Sequence, residues 1–466
     1  MIGRKNTRLR LKTTGTPVKE RTKKSRVASK PAGLAWVVAA DMGYGHQRAV
    51  YPLRGIAAGG IISVGENDAA SRTEKILWRR LLRIYESFSR AWSIPVVGRY
   101  IFGILDAFLR IPTFYPLRNL SRSTFQVELL ESFINKGLCE GMLDRIKEKR
   151  LPLVTSFYAP AIAADRNGSE KVYCIICDAD MNRVWVARDP SESRIEYFAP
   201  CGRVVQRLKA YGVPDDRIFL TGFPLPPELV GGTGMATLKS DLGQRLFYLD
   251  PKKRFWPRHG VNVEQFLGVK NCTFKGDRTL TITYSVGGAG ALKEIGAKIA
   301  RSLREPLLAG EVRLNLAAGT KKPVQRYFQE VKADISGSCD NIRVISADTI
   351  EEYFAKFNAV LRTTDVLWTK PSELSFYAAL GIPIITTPAL GSQETFNRKW
   401  LLDIHAGIRQ ENPDYTHQWL LDLLNKGRLA EAAWSGFLKA RKLGTYKIIE
   451  ILQTGAMKHE LSPIER

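Results

Sequence analysis

The sequence predicts an α/β protein made of two facing, doubly wound, Rossmann-like domains. Three observations carry that reading. The chain has 466 residues, well beyond the roughly 250–300 at which a single hydrophobic core stops growing. Short apolar runs rich in β-branched residues alternate with stretches that can be helical, the pattern of a parallel sheet covered on both faces. One such run in each half of the chain ends in glycines and leads into a helical pattern, as at the opening of a dinucleotide-type βα unit.

Residues 1–30 carry eleven Lys or Arg against one acid, Glu20. A segment so basic and so poor in apolar residues, taken as 1–33, is expected to stay unfolded and to meet an anionic surface. No apolar core of signal-peptide length follows, so a secretory leader is not expected. The first domain is expected at 34–227. It opens with the run LAWVVAA at 34–40, which ends in Asp41-Met42-Gly43-Tyr44-Gly45-His46. Further buried strands read at 153–157, 172–177, 195–199 and 218–221, and Gly222-Phe223-Pro224-Leu225-Pro226-Pro227 breaks regular structure at the domain exit.

Residues 228–277 read as linker plus insertion, helical at 241–249, basic and irregular at 251–260. The second domain is expected at 278–410. Its strands read at 280–284, 312–316, 343–346, 360–361, 366–368 and 383–386, with helices at 291–303, 349–357 and 372–380. The last segment, 411–466, has a helical pattern from 416 to 452.

Composition narrows the class of protein. Apolar residues make up 44% and the net charge is +24, ordinary and strongly basic respectively for a globular chain. No apolar stretch is long and uncharged enough for a transmembrane helix. The segment 92–117 is apolar but interrupted by Arg99, Asp106 and Arg110, and 71–125 holds ten Lys or Arg against three acids. Such a segment either lies on an anionic bilayer or forms buried helices with solvated arginines. Six scattered cysteines, with Cys174-x-x-Cys177 inside an apolar run, suit buried strand thiols in a reducing cytoplasm better than a zinc site, which wants a second pair. No nucleic-acid recognition module is present in the sequence.

Several residues carry chemistry. Gly287, Gly288 and Gly290 follow a strand, where backbone N–H groups can approach a diphosphate and the next helix start favours negative charge. Lys370 can meet a phosphate. Ser372 suits a helix N-cap and Glu373 the first turn. Gln393, Glu394 and Asn397 crowd what reads as a loop past a strand's carboxyl end, suited to sugar hydroxyls. His46, flanked by Gly43 and Gly45, is the candidate general base, with donor orientation or a bond to the loop backbone as its other readings. Asp178-x-Asp180 follows a strand and suits a cation; Asp180 also suits a base or an acceptor contact, and both residues suit ordinary solvated or capping aspartates.

The block from Thr369-Lys370 through Gly381-Ile382-Pro383 to Gln393-Glu394-Thr395-Phe396-Asn397 resembles the donor site of glycosyltransferase family 28. That family includes the peptidoglycan lipid-intermediate N-acetylglucosaminyltransferase and the diacylglycerol galactosyl- and glucosyltransferases. Residues 285–291 resemble the family's diphosphate loop, residues 41–46 its N-terminal glycine-histidine loop, and Gly222-Phe223-Pro224 its motif before the linker. The resemblance implies the GT-B architecture, a UDP-sugar donor and a lipid or lipid-linked acceptor. It also implies inverting hexosyl transfer needing no bound metal or cofactor, at a cytoplasmic membrane surface. One position departs: Phe376 stands where the family has a ribose-binding glutamate, and Glu373, one helical turn away, either takes that place or caps the helix. The alternatives are a catalytically degenerate sugar-nucleotide or lipid-binding protein, and a nucleotide-sugar 2-epimerase.

Overall fold

The computed structural model describes residues 33–65, 70–91, 111–276, 278–288, 290–336, 340–389 and 391–458. The basic tail, residues 92–110 of the apolar segment, and Cys339 lie outside the described residues. Among the described residues, no helix is long and apolar enough to cross a membrane.

Two parallel six-stranded sheets, each flanked by helices, form the fold, and they give it the GT-B type of architecture. The first sheet comprises β1 (Ala35–Ala40), β2 (Ala57–Val64), β3 (Leu153–Thr155), β4 (Val172–Ile175), β5 (Ile195–Phe198) and β6 (Ile218–Phe219), in the order β2-β1-β3-β4-β5-β6. All six residues of β1 are buried, as a central parallel strand covered on both faces requires. The second sheet comprises β7 (Leu280–Ser285), β8 (Val312–Gly319), β9 (Ile342–Ser346), β10 (Val366–Thr369), β11 (Ile384–Thr386) and β12 (Gly407–Arg409). Its order, β12-β11-β10-β7-β8-β9, is the 3-2-1-4-5-6 arrangement typical of dinucleotide-binding sheets.

Some elements differ from the sequence expectation, each for a local reason. Edge strand β2 escapes the pattern because its Gly59 and Gly60 adopt positive φ and break the apolar run. Residues 360–361 are not a strand; they end the helix Ile350–Leu361, whose start is fixed by Thr349, the hydroxyl of which accepts from the Glu352 amide. Within 228–277 the chain is helical at Ala236–Tyr248 and Trp256–Leu267. The first of these helices is locked onto the second sheet's wall. Arg245, fully buried, donates to the carbonyls of Thr364 at 2.7 Å and Leu380 at 3.0 Å. The helical C-terminal segment resolves into Thr416–Asn425, Arg428–Lys439 and Gly444–Thr454.

That last helix returns to the first domain. Thr445 donates its hydroxyl to the Leu225 carbonyl at 2.5 Å, and the Tyr446 hydroxyl accepts from the Gly232 amide at 3.0 Å. The chain therefore passes between the halves twice, once after Gly222 and once before Gly444.

Candidate functional site

Open α/β sheets take ligands outside the carboxyl ends of their strands, where the strand order reverses. In the first sheet that point lies between β1 and β3, and in the second between β7 and β10. The residues singled out from the sequence sit at both points, and the two points meet.

At the first point, Gly43 turns the chain from β1 into the helix Tyr44–Val50 with φ of 115°, a conformation that side chains strongly disfavour. This places His46 beside the end of β3. Its Nδ1 lies 2.8 Å from the Ser156 carbonyl, to which it donates, and the Ser156 hydroxyl donates back to the His46 carbonyl at 2.7 Å. The ring packs edge-on against Phe157. Burial pulls the His46 pKa below the ordinary imidazole value, against the opposing effects of the Ser156 bond and the Glu373 carboxylate. The imidazole is thus neutral near pH 7, with its proton pinned on Nδ1 and no hydrogen bond to Nε2 among the described residues.

At the second point, the turn after β7 and the turn after β10 touch: a Cβ on Gly287 would come 2.6 Å from Lys370 Cε. Lys370 pairs with Glu394 at 3.0 Å. Burial opposes its charge, but the carboxylates of Glu394, Glu373 and Asp178 outweigh that and raise its pKa. Gln393, Glu394 and Asn397 are not in a loop; they lie in the first turns of the helix Ser392–Asp403. Serine at its first position and Gly391 before it made that start look like loop. Ser372 precedes the 3-10 helix Glu373–Leu380 without capping it through its side chain.

The two points are joined by side chains that cross the seam between the domains. Asn397, fully buried, accepts from the Ala179 amide at 2.7 Å and donates to Asp178 at 2.7 Å. The Asp178 carboxyl is pushed up to about 6 by burial; Asn397 and Lys370 pull it back, while Glu373 and Glu394 push it further. Arg48 binds Glu373 at 3.1 Å, both buried, with its guanidinium over the rings of Phe354 and Phe357. Glu373 thus serves the domain seam rather than capping its helix. Phe376 stacks on Phe223 with ring centroids 5.3 Å apart and touches Trp400, so an aromatic fills the place expected of a ribose ligand. Tyr44 covers the glycine-rich turn: a Cβ on Gly288 would meet its backbone nitrogen at 3.2 Å, and its hydroxyl bonds Thr320 at 2.8 Å. Gly45 lies against Glu373, and Gly290 closes the turn by donating to the Gly287 carbonyl at 2.8 Å.

Asp180 is a correction. It is fully buried and held by Arg203 and Arg207, each at 2.7 Å, and by the Met181 amide at 2.9 Å. A carboxylate so saturated has no lone pair to spare for a proton or an acceptor, and with Asp178 engaged by Asn397 the pair does not form a cation site. Among the described residues, no group of His, Cys, Asp or Glu is placed to hold a metal ion. Cys174 and Cys177 are buried and their thiols pushed up by that burial. Arg48 and Ser156 do not stand out in the sequence. Arg48 lies on an ordinary helical face, and Ser156 acts through its carbonyl, which any residue would supply.

The fold and the paired switch points define a two-domain, GT-B-type protein with a polar seam. Comparison with known proteins adds the following. Residues 321–450 match a family model described as a domain of unknown function (DUF6938). Among curated proteins, none matches the chain. Similar solved structures include a Staphylococcus aureus MnaA–UDP complex, 11% identical, covering 90% of this chain and 95% of that one with a TM-score of 0.47. A Neisseria meningitidis UDP-GlcNAc 2-epimerase bound to UDP-GlcNAc is 11% identical, covering 90% and 99%, TM-score 0.47. Acinetobacter baumannii MurG is 17% identical, covering 69% and 78%, TM-score 0.40. At these identities the function has to be argued from the site itself.

Proposed function

We propose that the chain is a glycosyltransferase that moves a sugar from a nucleotide-sugar donor, a UDP-sugar first among candidates, to a lipid or lipid-linked acceptor with inversion. One observation carries the reading: a neutral imidazole, His46, with no hydrogen bond to its Nε2 among the described residues, stands at one switch point within reach of the Glu373 carboxylate of the other. In this reading the Gly287–Gly290 turn and Lys370 hold the diphosphate, and Gln393 and Glu394 hold the sugar. His46 Nε2 takes the acceptor hydroxyl's proton as that oxygen bonds to the anomeric carbon. The diphosphate departs from the opposite face with the bonding electrons, its charge met by Lys370 and the backbone amides. Tyr44 has to withdraw from Gly288 before a diphosphate can reach the turn. A basic, peripheral attachment to a membrane would bring the acceptor.

The test is incubation of the full chain with labelled UDP-, GDP- and dTDP-sugars and a total lipid extract. Label should move into the lipid fraction from one donor; no binding and no transfer from any of them would sink the reading. A second reading, a nucleotide-sugar 2-epimerase, is favoured by the three carboxylates Asp178, Glu373 and Glu394 gathered at the seam, since epimerisation needs several acid/base groups. Conversion of UDP-GlcNAc into its C2 epimer without any acceptor would select it.

A further inference from the structure

Away from the seam, the first domain contains a cavity of about 520 Å³, within the size range of small-molecule sites. Its wall includes Arg118, Arg122, Ser123, Thr124, Asn182 and Arg183, and among the described residues no acid lines it. It lies at the start of the helix Phe125–Asn135, whose N-cap is Thr124. An N-cap threonine ordinarily spends its hydroxyl on an amide of the first turn; this one does not, and neither the Thr124 hydroxyl nor that of Ser123 has a partner although both are buried. Asn182 is 7% exposed, and its Oδ1 is likewise without a partner. Buried polar groups left unmatched cost on the order of 1–3 kcal/mol each.

The charges point the same way. Arg183 spends its guanidinium on the carbonyls of Ser121, Val186 and Arg188. Among the described residues no carboxylate pairs with it, or with Arg118 or Arg122, both exposed at the mouth. Arg183 has Asp189 near it as a counter-charge, which leaves two exposed cations without an ion pair, two idle hydroxyls and a helix start to favour an anion. The Asn182 oxygen asks for something different, an O–H donor, which a bare anion does not bring in quantity. The absence of any acid in the wall argues against a ligand amine.

We infer that this cavity is a second ligand site, and that it takes a phosphate ester carrying free hydroxyl groups. The phosphate would sit at the helix start against Arg118, Arg122, Ser123 and Thr124, and a hydroxyl would donate to Asn182. Such an ester is either a soluble polyol phosphate or the headgroup of a phospholipid. Pro112 and Thr113 of the cavity wall belong to the described end of the apolar segment 92–117.

Two titrations of the full chain separate the sources. One is calorimetric, with sn-glycerol 3-phosphate and with inorganic phosphate; the other is cosedimentation with phosphatidylcholine vesicles with or without phosphatidylglycerol. Glycerol phosphate should bind, and Arg122→Glu should weaken it about tenfold or more. The charge-matched control Arg150→Glu, on an exposed residue before β3, should leave it unchanged. Asn182→Leu should remove the preference for glycerol phosphate over inorganic phosphate. Binding to phosphatidylglycerol vesicles alone, lost in R122E and kept in R150E, supports the same site with a lipid source. Binding of neither probe, or equal losses in R122E and R150E, overturns the proposal; equal affinity for both phosphates in the unaltered protein overturns the hydroxyl part of it. Melting curves of the variants, expected to match the parent, keep a folding defect from passing as a result.

Discussion

The two ends of the domain seam are built on opposite terms. At the end near His46 and Lys370 the groups are polar, and a nitrogen lone pair is left unused. At the end near Tyr44 and Phe376 the halves are sealed: a tyrosine lies over a glycine turn, an arginine and a glutamate are buried together, and two aromatic rings are stacked. The polar groups are those the proposed reaction needs, and the sealed ones are those of a domain contact. The diphosphate turn meets both, with Gly287 against Lys370 and Gly288 under Tyr44, so stability and ligand access compete there.

The largest expected effect comes from breaking the sealed end. Arg48→Ala leaves the Glu373 carboxylate buried without its partner and should destabilise the protein by about 3–5 kcal/mol, read as a lower midpoint in denaturant. A loss below about 1 kcal/mol would show that the seam does not depend on this pair.

At the polar end the effect should fall on rate. His46→Gln should lower turnover by about 10²–10⁴-fold while the melting temperature stays near that of the parent. Equal activity in the variant would remove His46 as the base. Asp178 offers a sharper probe of the same end, through pH. Its folded-state pKa, about 6, is raised above the ordinary carboxyl value. Burial therefore costs nothing while the group is protonated in both states, and costs most once it is ionised. Its contribution makes the protein more stable at low pH and erodes as pH rises from about 4 through about 6. Asp178→Asn should flatten that slope in melts taken across this range; an unchanged slope would place the titration on another group.

The smallest effect expected is at the hinge between the two descriptions. Tyr44→Phe removes the bonds to Thr320 and should cost about 0.5–1.5 kcal/mol. If the closed seam hinders the donor, the same variant should bind a sugar nucleotide more tightly, and weaker binding would make the tyrosine a donor contact instead.

Much of the fold was legible in the sequence because parallel strands buried on both faces, such as LAWVVAA, are hard to mistake. The glycine turns at Gly43 and Gly287 were legible for the same kind of reason, a local backbone requirement written in one residue type. The edge strand Gly407–Arg409 was not, since it has three residues and little apolar character. The site divided along similar lines. His46, Lys370 and Glu394 stood out by chemistry and position; Lys370 and Glu394 pair with each other, and Glu373 acts on both His46 and Lys370. The arginine partners of Asp180 lie 23 and 27 residues away and the first-domain partners of Asn397 218 and 219 residues away in the chain, and nothing local distinguishes a carboxylate bound by two arginines from one facing a cleft. Phe376 read as a missing ligand because its stacking partner, Phe223, belongs to the other domain.

The double passage of the chain between the halves has a mechanical consequence. Two covalent crossings lying side by side, near Gly222–Leu225 and Ala440–Thr445, act as the two knuckles of a door. They resist sliding and twisting but permit swing about the line that joins them. A displacement that lifted Tyr44 from Gly288, as the proposed donor site requires, would be a rotation about that line, and the gap it opened would widen with distance from the crossings.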